Sequence, residues 1–247
     1  SVRCYRDRPP PDQSAQRQKR EYIMGERIKV TASDGFTLNA YRAAPDGTAK
    51  GAVVLLQEVW GLNNFIRREV DRYAAAGYLT IAPALFDRVE MGYESEDYGP
   101  AGFAKMGELF KVFDPAKAML DVAAAVPAVA SAGKVGITGY CFGGATTWRA
   151  ANAGLGLSAA SGYYGGGVPN YIGLAPVIPT EMHYGDQDTG IPLEQIEALR
   201  AAHPTVQVYL YPAGHGFCNA DRPDKYDAPS AKLANGRTLA FFAQHLA

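Results

Sequence analysis

Lys134-Val135-Gly136-Ile137-Thr138-Gly139-Tyr140-Cys141-Phe142-Gly143-Gly144 is the stretch that decides the fold. Residues 134–138 form a short apolar run, and residues 145–151, which follow the glycines, read as helix. A glycine two positions either side of Cys141 suits a turn from strand to helix so tight that a Cβ there would strike the crossing backbone. Such a turn lifts the side chain at its apex above the sheet. Here the apex is a thiol, which points to nucleophilic catalysis through sulfur. A buried core cysteine is the plain alternative, and the flanking glycines argue against it.

Outward from this turn the chain alternates strand and helix signals. Residues 26–31 and 36–43 flank Ser33-Asp34-Gly35, a hairpin signature. Residues 51–56 form a continuous apolar run, as expected of a strand buried on both faces. Asn63 or Asn64 caps a helix to Ala76, stopped by Gly77. Residues 78–82 read as the next strand. Asp114-Pro115 opens another helix, whose alanine-rich run is expected to kink at Pro127. Strands are expected over 158–164, 177–184 and 206–211, and helices over 192–202 and 230–245. This alternation predicts an α/β fold with a mostly parallel sheet of about eight strands and helices on both faces. Active sites in such sheets lie beyond the carboxyl ends of the strands.

Length and composition agree with one globular domain. A chain of 247 residues, 47% hydrophobic, can bury a sizeable core. The formal net charge of −1 offers no field for nucleic acid, and no apolar run is long enough to span a bilayer. Three cysteines far apart do not suggest a disulfide framework, so the expected compartment is the reducing cytoplasm. Residues 1–23 differ from the rest. They are rich in arginine, carry Pro9-Pro10-Pro11 and lack an apolar signal core. They are expected to be a leader or a cloning artefact ahead of Met24, with residues 24–247 forming the domain.

A nucleophilic thiol needs a base, and the base needs an orienting group. The strand–Gly-x-Cys-x-Gly–helix context resembles the nucleophile elbow of α/β-hydrolases, where the order along the chain is nucleophile, acid, histidine. Cys141, Asp188 and His215 follow that order, each just past a strand. Asp186 competes for the acid role, and Asp188 is preferred. His183, inside a strand, and His203 and His245, at helix ends, read as structural. Gln57-Glu58-Val59-Trp60-Gly61 follows the most apolar strand, and a carboxylate there is costly without a partner. In the fold implied, this loop and the residue after the nucleophile supply the two oxyanion N–H groups, here Val59 and Phe142.

Five ordered motifs then carry a closer resemblance: Gln57-Glu58-Val59-Trp60-Gly61, Gly139-Tyr140-Cys141-Phe142-Gly143-Gly144, Gly162-Tyr163-Tyr164-Gly165, Gly185-Asp186-Gln187-Asp188 and Gly214-His215-Gly216-Phe217. Together they resemble the dienelactone hydrolase, or carboxymethylenebutenolidase, family of α/β-hydrolases, from about Met24 to the C-terminus. The resemblance implies Cys141 as nucleophile, His215 as base, Asp188 as its orienter, and Glu58 as the carboxylate that faces the resting thiol and takes its proton when substrate binds. It implies hydrolysis of a small carboxylate-bearing lactone through a thioester, with a neutral-ester carboxylesterase or thioesterase as the alternative. Arg88 matches the family's arginine after the second parallel strand, and Tyr164 a tyrosine lining the site. The second arginine of well-known bacterial members falls at Asn219, and Arg222 is the candidate substitute. No metal or organic cofactor is required. The expected partner is a small lactone or ester, with no nucleic acid or membrane, and the expected state is a monomer.

Overall fold

The computed structural model describes residues 25–247, so the expected leader lies outside the described residues. Within them run β1 (Glu26–Thr31), β2 (Thr37–Ala43), β3 (Ala52–Leu56), α1 (Asn64–Ala75), β4 (Leu79–Pro83), α2 (Pro100–Val112), α3 (Pro115–Ala125), β5 (Val135–Tyr140), α4 (Phe142–Asn152), β6 (Ala159–Tyr163), β7 (Thr180–Gly185), α5 (Leu193–Ala202), β8 (Gln207–Tyr211) and α6 (Ala228–His245). The eight strands form one sheet in the order β1-β2-β4-β3-β5-β6-β7-β8. β2 pairs antiparallel with both β1 and β4, and all later pairings are parallel.

Strand β3 shows why the sheet is covered on both faces. All five residues are buried. Val53 and Leu55 point into a core layer with Phe65, Ile66 and Val70 of α1 and Phe242 of α6. Ala52, Val54 and Leu56 point the other way, against Val122 and Ala125 of α3. The period of two along a strand thus feeds two cores.

Helix ends follow local chemistry. The Asn63 side chain accepts a bond from the Ile66 N–H and caps α1, while Gly77 takes φ +102° just beyond its end. Asp114 caps α3 through the N–H groups of Ala116 and Lys117, with Pro115 at the first position. The expected kink at Pro127 does not occur, because α3 already ends at Ala125. A proline two residues on terminates the alanine run rather than bending it. Strand β7 starts at Thr180 rather than at Val177. Helix α2 is the element with no expectation behind it. Its N-cap is Gly99 with no side-chain bond, and Gly102 and Gly107 weaken its interior. Gly102 is nonetheless required, since a Cβ there would lie 1.8 Å from the Asp97 carbonyl oxygen.

From β3 the chain crosses to β4 on one side and later to β5 on the other. The crevice at this reversal, beyond the carboxyl ends of β3 and β5, is where an open α/β sheet holds its ligand. Glu58 follows β3 and Cys141 follows β5.

Candidate active site

Cys141 occupies the turn between β5 and α4 with φ 56° and ψ −114°, a conformation that L-residues rarely adopt. Close backbone packing holds it there. Its N–H donates to the Tyr163 carbonyl at 3.0 Å, and its carbonyl accepts from the Ala145 N–H at 3.1 Å. A Cβ on Gly139 would meet the Gly143 carbonyl oxygen at 2.4 Å, and one on Gly143 would meet the Leu56 carbonyl oxygen at 2.5 Å. The second contact seats the loop after β3 directly on the elbow. Gln57 pins that loop by accepting from the Leu85 N–H at 3.1 Å. Val59 lies in that loop, three residues beyond the end of β3, and Phe142 is the first residue of α4, where a backbone N–H has no intrahelical acceptor.

His215 and Asp188 come from the loops after β8 and β7. Gly185 lets these loops touch, since a Cβ there would lie 2.1 Å from the Ala213 carbonyl oxygen. The His215 Nδ1 sits 2.6 Å from Asp188 Oδ2. Asp188 is buried and also accepts from the Gly190 N–H at 2.9 Å, whereas Asp186 is exposed. Burial pulls the imidazole pKa down, but the bonds to Asp188 and Cys141, with their charges, outweigh it and raise the value to about 10. The pair thus favours an imidazolium. His183 lies elsewhere, fully buried, with Nε2 against Glu181 at 3.0 Å and Nδ1 against the Tyr211 hydroxyl at 2.7 Å.

Glu58 is buried beside this pair. The hydrogen bonds found for its carboxylate come from the Tyr164 hydroxyl at 3.2 Å and the Asn219 amide at 2.8 Å. Tyr164 lies within reach of the charges of both Glu58 and Cys141. Burial pushes the Glu58 carboxyl up, opposed by Asn219, His215, Tyr164 and Arg222 in that order. The Tyr164 ring packs 5.1 Å from that of His215 and adopts φ 37°, so it both anchors the carboxylate and walls the site. Asn219 was marked in the sequence only as a missing arginine. Its amide is the neutral donor that holds Glu58, a role that residue spacing does not reveal.

The two arginines part company. The Arg222 guanidinium lies 5.5 Å over the Tyr98 ring, close enough to act on Glu58. Its pairing with Asp224 is loose at 3.6 Å, and its buried Nε has no protein partner. Arg88, expected to bind a substrate carboxylate, is already neutralised. It donates to Asp121 from Nε and an amino nitrogen at 2.8 Å and to Asp34 at 2.8 and 2.9 Å, and it stacks over Phe36. The cavity beside Arg88 is lined by Phe36, Val89, Val112, Phe113, Asp114 and Lys117. The guanidinium fork has no free pair of donors to offer a ligand.

Residues 38–246 match the dienelactone hydrolase family. A carboxymethylenebutenolidase of Pseudomonas putida is 31% identical over 231 residues, covering 90% of this chain and 97% of the relative. Carboxymethylenebutenolidase 1 of Cupriavidus pinatubonensis is 28% identical over the same shares of the two chains. A crystal structure described as a dienelactone hydrolase from Klebsiella pneumoniae superposes with a TM-score of 0.75 at 30% identity, covering 89% of this chain and all of the other. The chain belongs to the dienelactone hydrolase family, and its fold is that family's α/β-hydrolase fold.

Two outcomes follow from the charges. Because the folded-state value for His215, about 10, lies above the ordinary ~6.5, its contribution to stability is full below that ordinary value and is lost as pH rises towards 10. Asp188→Asn removes the main raising partner, and ring-proton NMR should show the His215 midpoint falling towards ~6.5; an unmoved midpoint would contradict the pairing. Arg88→Ala strands the buried Asp121 carboxylate, so denaturant unfolding should show a loss of about 3 kcal/mol or more, with the ratio of anionic to neutral ester turnover unchanged. Unchanged stability with a selective loss of anionic turnover would return Arg88 to the substrate.

Proposed function

We infer that this chain hydrolyses the ester bond of small lactones or esters through a Cys141 thioester, with His215 as base and Asp188 as its orienter. The observation that carries the reading is the strained elbow at Cys141 together with an imidazole, His215, whose Nδ1 lies 2.6 Å from a buried carboxylate. His215 Nε2 takes the thiol proton, and the sulfur attacks the carbonyl carbon. The oxygen of the tetrahedral species gains its charge between the N–H groups of Val59 and Phe142, an arrangement worth about 3–4 kcal/mol per donor in hydrolases. The C–O bond breaks as His215 returns the proton to the leaving oxygen. In a lactone that oxygen stays tethered to the acyl group. A water then gives its proton to His215 and attacks the thioester, and His215 returns the proton to the departing sulfur.

Glu58 is a relay for the one thiol proton in this reading, receiving it from the sulfur and passing it on to His215. Its high carboxyl pKa suits a group that exchanges a proton with the thiol when substrate displaces the Asn219 or Tyr164 hydrogen bond. Arg222 is the cation proposed to meet a substrate carboxylate, supported by its reach to Glu58 and by relatives named carboxymethylenebutenolidase. A second reading, a carboxylesterase of neutral esters, draws support from Arg88 being bound to two aspartates and from a neutral Asn219.

The test is hydrolysis of a dienelactone and of p-nitrophenyl acetate by the purified protein, with Cys141→Ala as control. Turnover of either that falls at least about a hundredfold in Cys141→Ala supports the mechanism. A preference for the dienelactone that Arg222→Ala erases supports the anionic substrate. Turnover within tenfold of wild type in Cys141→Ala would overturn the thioester.

A further inference from the structure

Phe142, Ala145, Thr146 and Arg149 are spaced three, four and seven residues along α4, so they share one face of the helix. At 1.5 Å per residue this face runs about 10 Å from the nucleophile. It forms the floor of a groove with Phe110, Phe113 and Pro115 on one side and Gly167 and Tyr171 on the other.

We propose that this groove is an acyl subsite, taking an apolar chain or single aryl ring attached to the carbonyl that Cys141 attacks. The proposal rests on the thioester reading above and adds the class of acyl group. Four observations carry it. The groove begins at Phe142, the residue bonded to the nucleophile. Its walls are aromatic, and Phe110, Phe113, Phe142 and Tyr171 are all left half-buried, the state of rings that wait for an apolar occupant. Those walls are preformed: the Phe142 ring meets Phe113 at 5.2 Å and Phe110 at 5.5 Å, both edge-on. Finally, the polar groups inside are already engaged. The Thr146 hydroxyl donates to the Phe142 carbonyl at 2.9 Å, and Arg149 donates to the Pro115 carbonyl at 3.1 Å while lying over the Tyr171 ring. The far end is thereby closed by Arg149.

The volume, about 240 Å³, fits a short alkyl chain or one ring rather than a larger ligand. Gly167 keeps it open, since a Cβ there would come within 3.3 Å of the Ala145 Cβ. The site is thus two-sided, with a cation at Arg222 on the Glu58 side and an aromatic slot, closed by Arg149, along α4.

Burial of each methylene is worth up to about fourfold in kcat/KM. The experiment compares p-nitrophenyl acetate, butyrate and hexanoate with wild type, Ala145→Leu, which fills the groove, and Tyr171→Ala, which removes a wall. Melting temperatures identify any variant that fails to fold. Wild type should favour hexanoate over acetate at least about tenfold, and each folded variant should lower that ratio at least about fivefold. A flat chain-length profile in wild type, or a ratio unchanged in a folded variant, overturns the subsite while leaving Cys141-dependent acetate hydrolysis, and hence the thioester, intact. Acetate hydrolysis that survives Cys141→Ala removes the thioester and the acyl subsite together.

Discussion

Backbone approaching backbone without any intervening Cβ is the constraint on which the rest of this structure depends. Gly139 and Gly143 allow the elbow to fold back on itself and against the end of β3, and Gly144 does the same against the Tyr163 carbonyl oxygen at 2.3 Å. Those contacts hold Cys141 at φ 56°, where the backbone alone would not settle. They also fix which loops meet at the elbow. The loop after β3 brings Val59 and Glu58, the N-terminus of α4 brings Phe142, and the end of β6 brings Tyr164. Close packing of the sheet's central strands is thus converted into a preorganised site.

The polar chemistry above the elbow is divided between two carboxylates with opposite surroundings. Asp188 accepts from a backbone N–H and faces an imidazole that it drives towards the cation. Glu58 is walled by Tyr164, Asn219 and apolar burial, and its carboxyl is pushed up. The two acids thus sit in different surroundings, one paired with an imidazole and the other held by neutral donors. Asn219 matters because it supplies a hydrogen bond without a charge. An arginine there would favour the Glu58 carboxylate far more strongly. Positive charge is carried instead by Arg222, whose Nε is buried and unpartnered.

Much of this was legible in the sequence. The glycine pattern around Cys141 and the apolar runs of β3 and β5 specify elements whose geometry is fixed by sterics and burial, and such signals are local. Asn63 and Asp114 announce the starts of α1 and α3 for the same reason. What escaped depends on contacts distant along the chain. Helix α2 has Pro100 at its first position but a glycine cap and two internal glycines, so its local start signal is weak. The fate of Arg88 is decided by Asp34 and Asp121, 54 and 33 residues away, and nothing adjacent to Arg88 signals that its fork is taken. The bond from Asn219 to Glu58 spans 161 residues. The groove along α4 was missed because Phe142 was read for its N–H and not for its ring.

The central claim is that the elbow sulfur carries the acyl group. Rapid quenching of the wild-type protein during turnover of p-nitrophenyl butyrate, followed by peptide mass spectrometry, reads this directly. The account predicts one butyryl adduct on the peptide containing Cys141, formed and lost at rates that match turnover. Turnover with the adduct on another residue, or with Cys141 unmodified throughout, would contradict it.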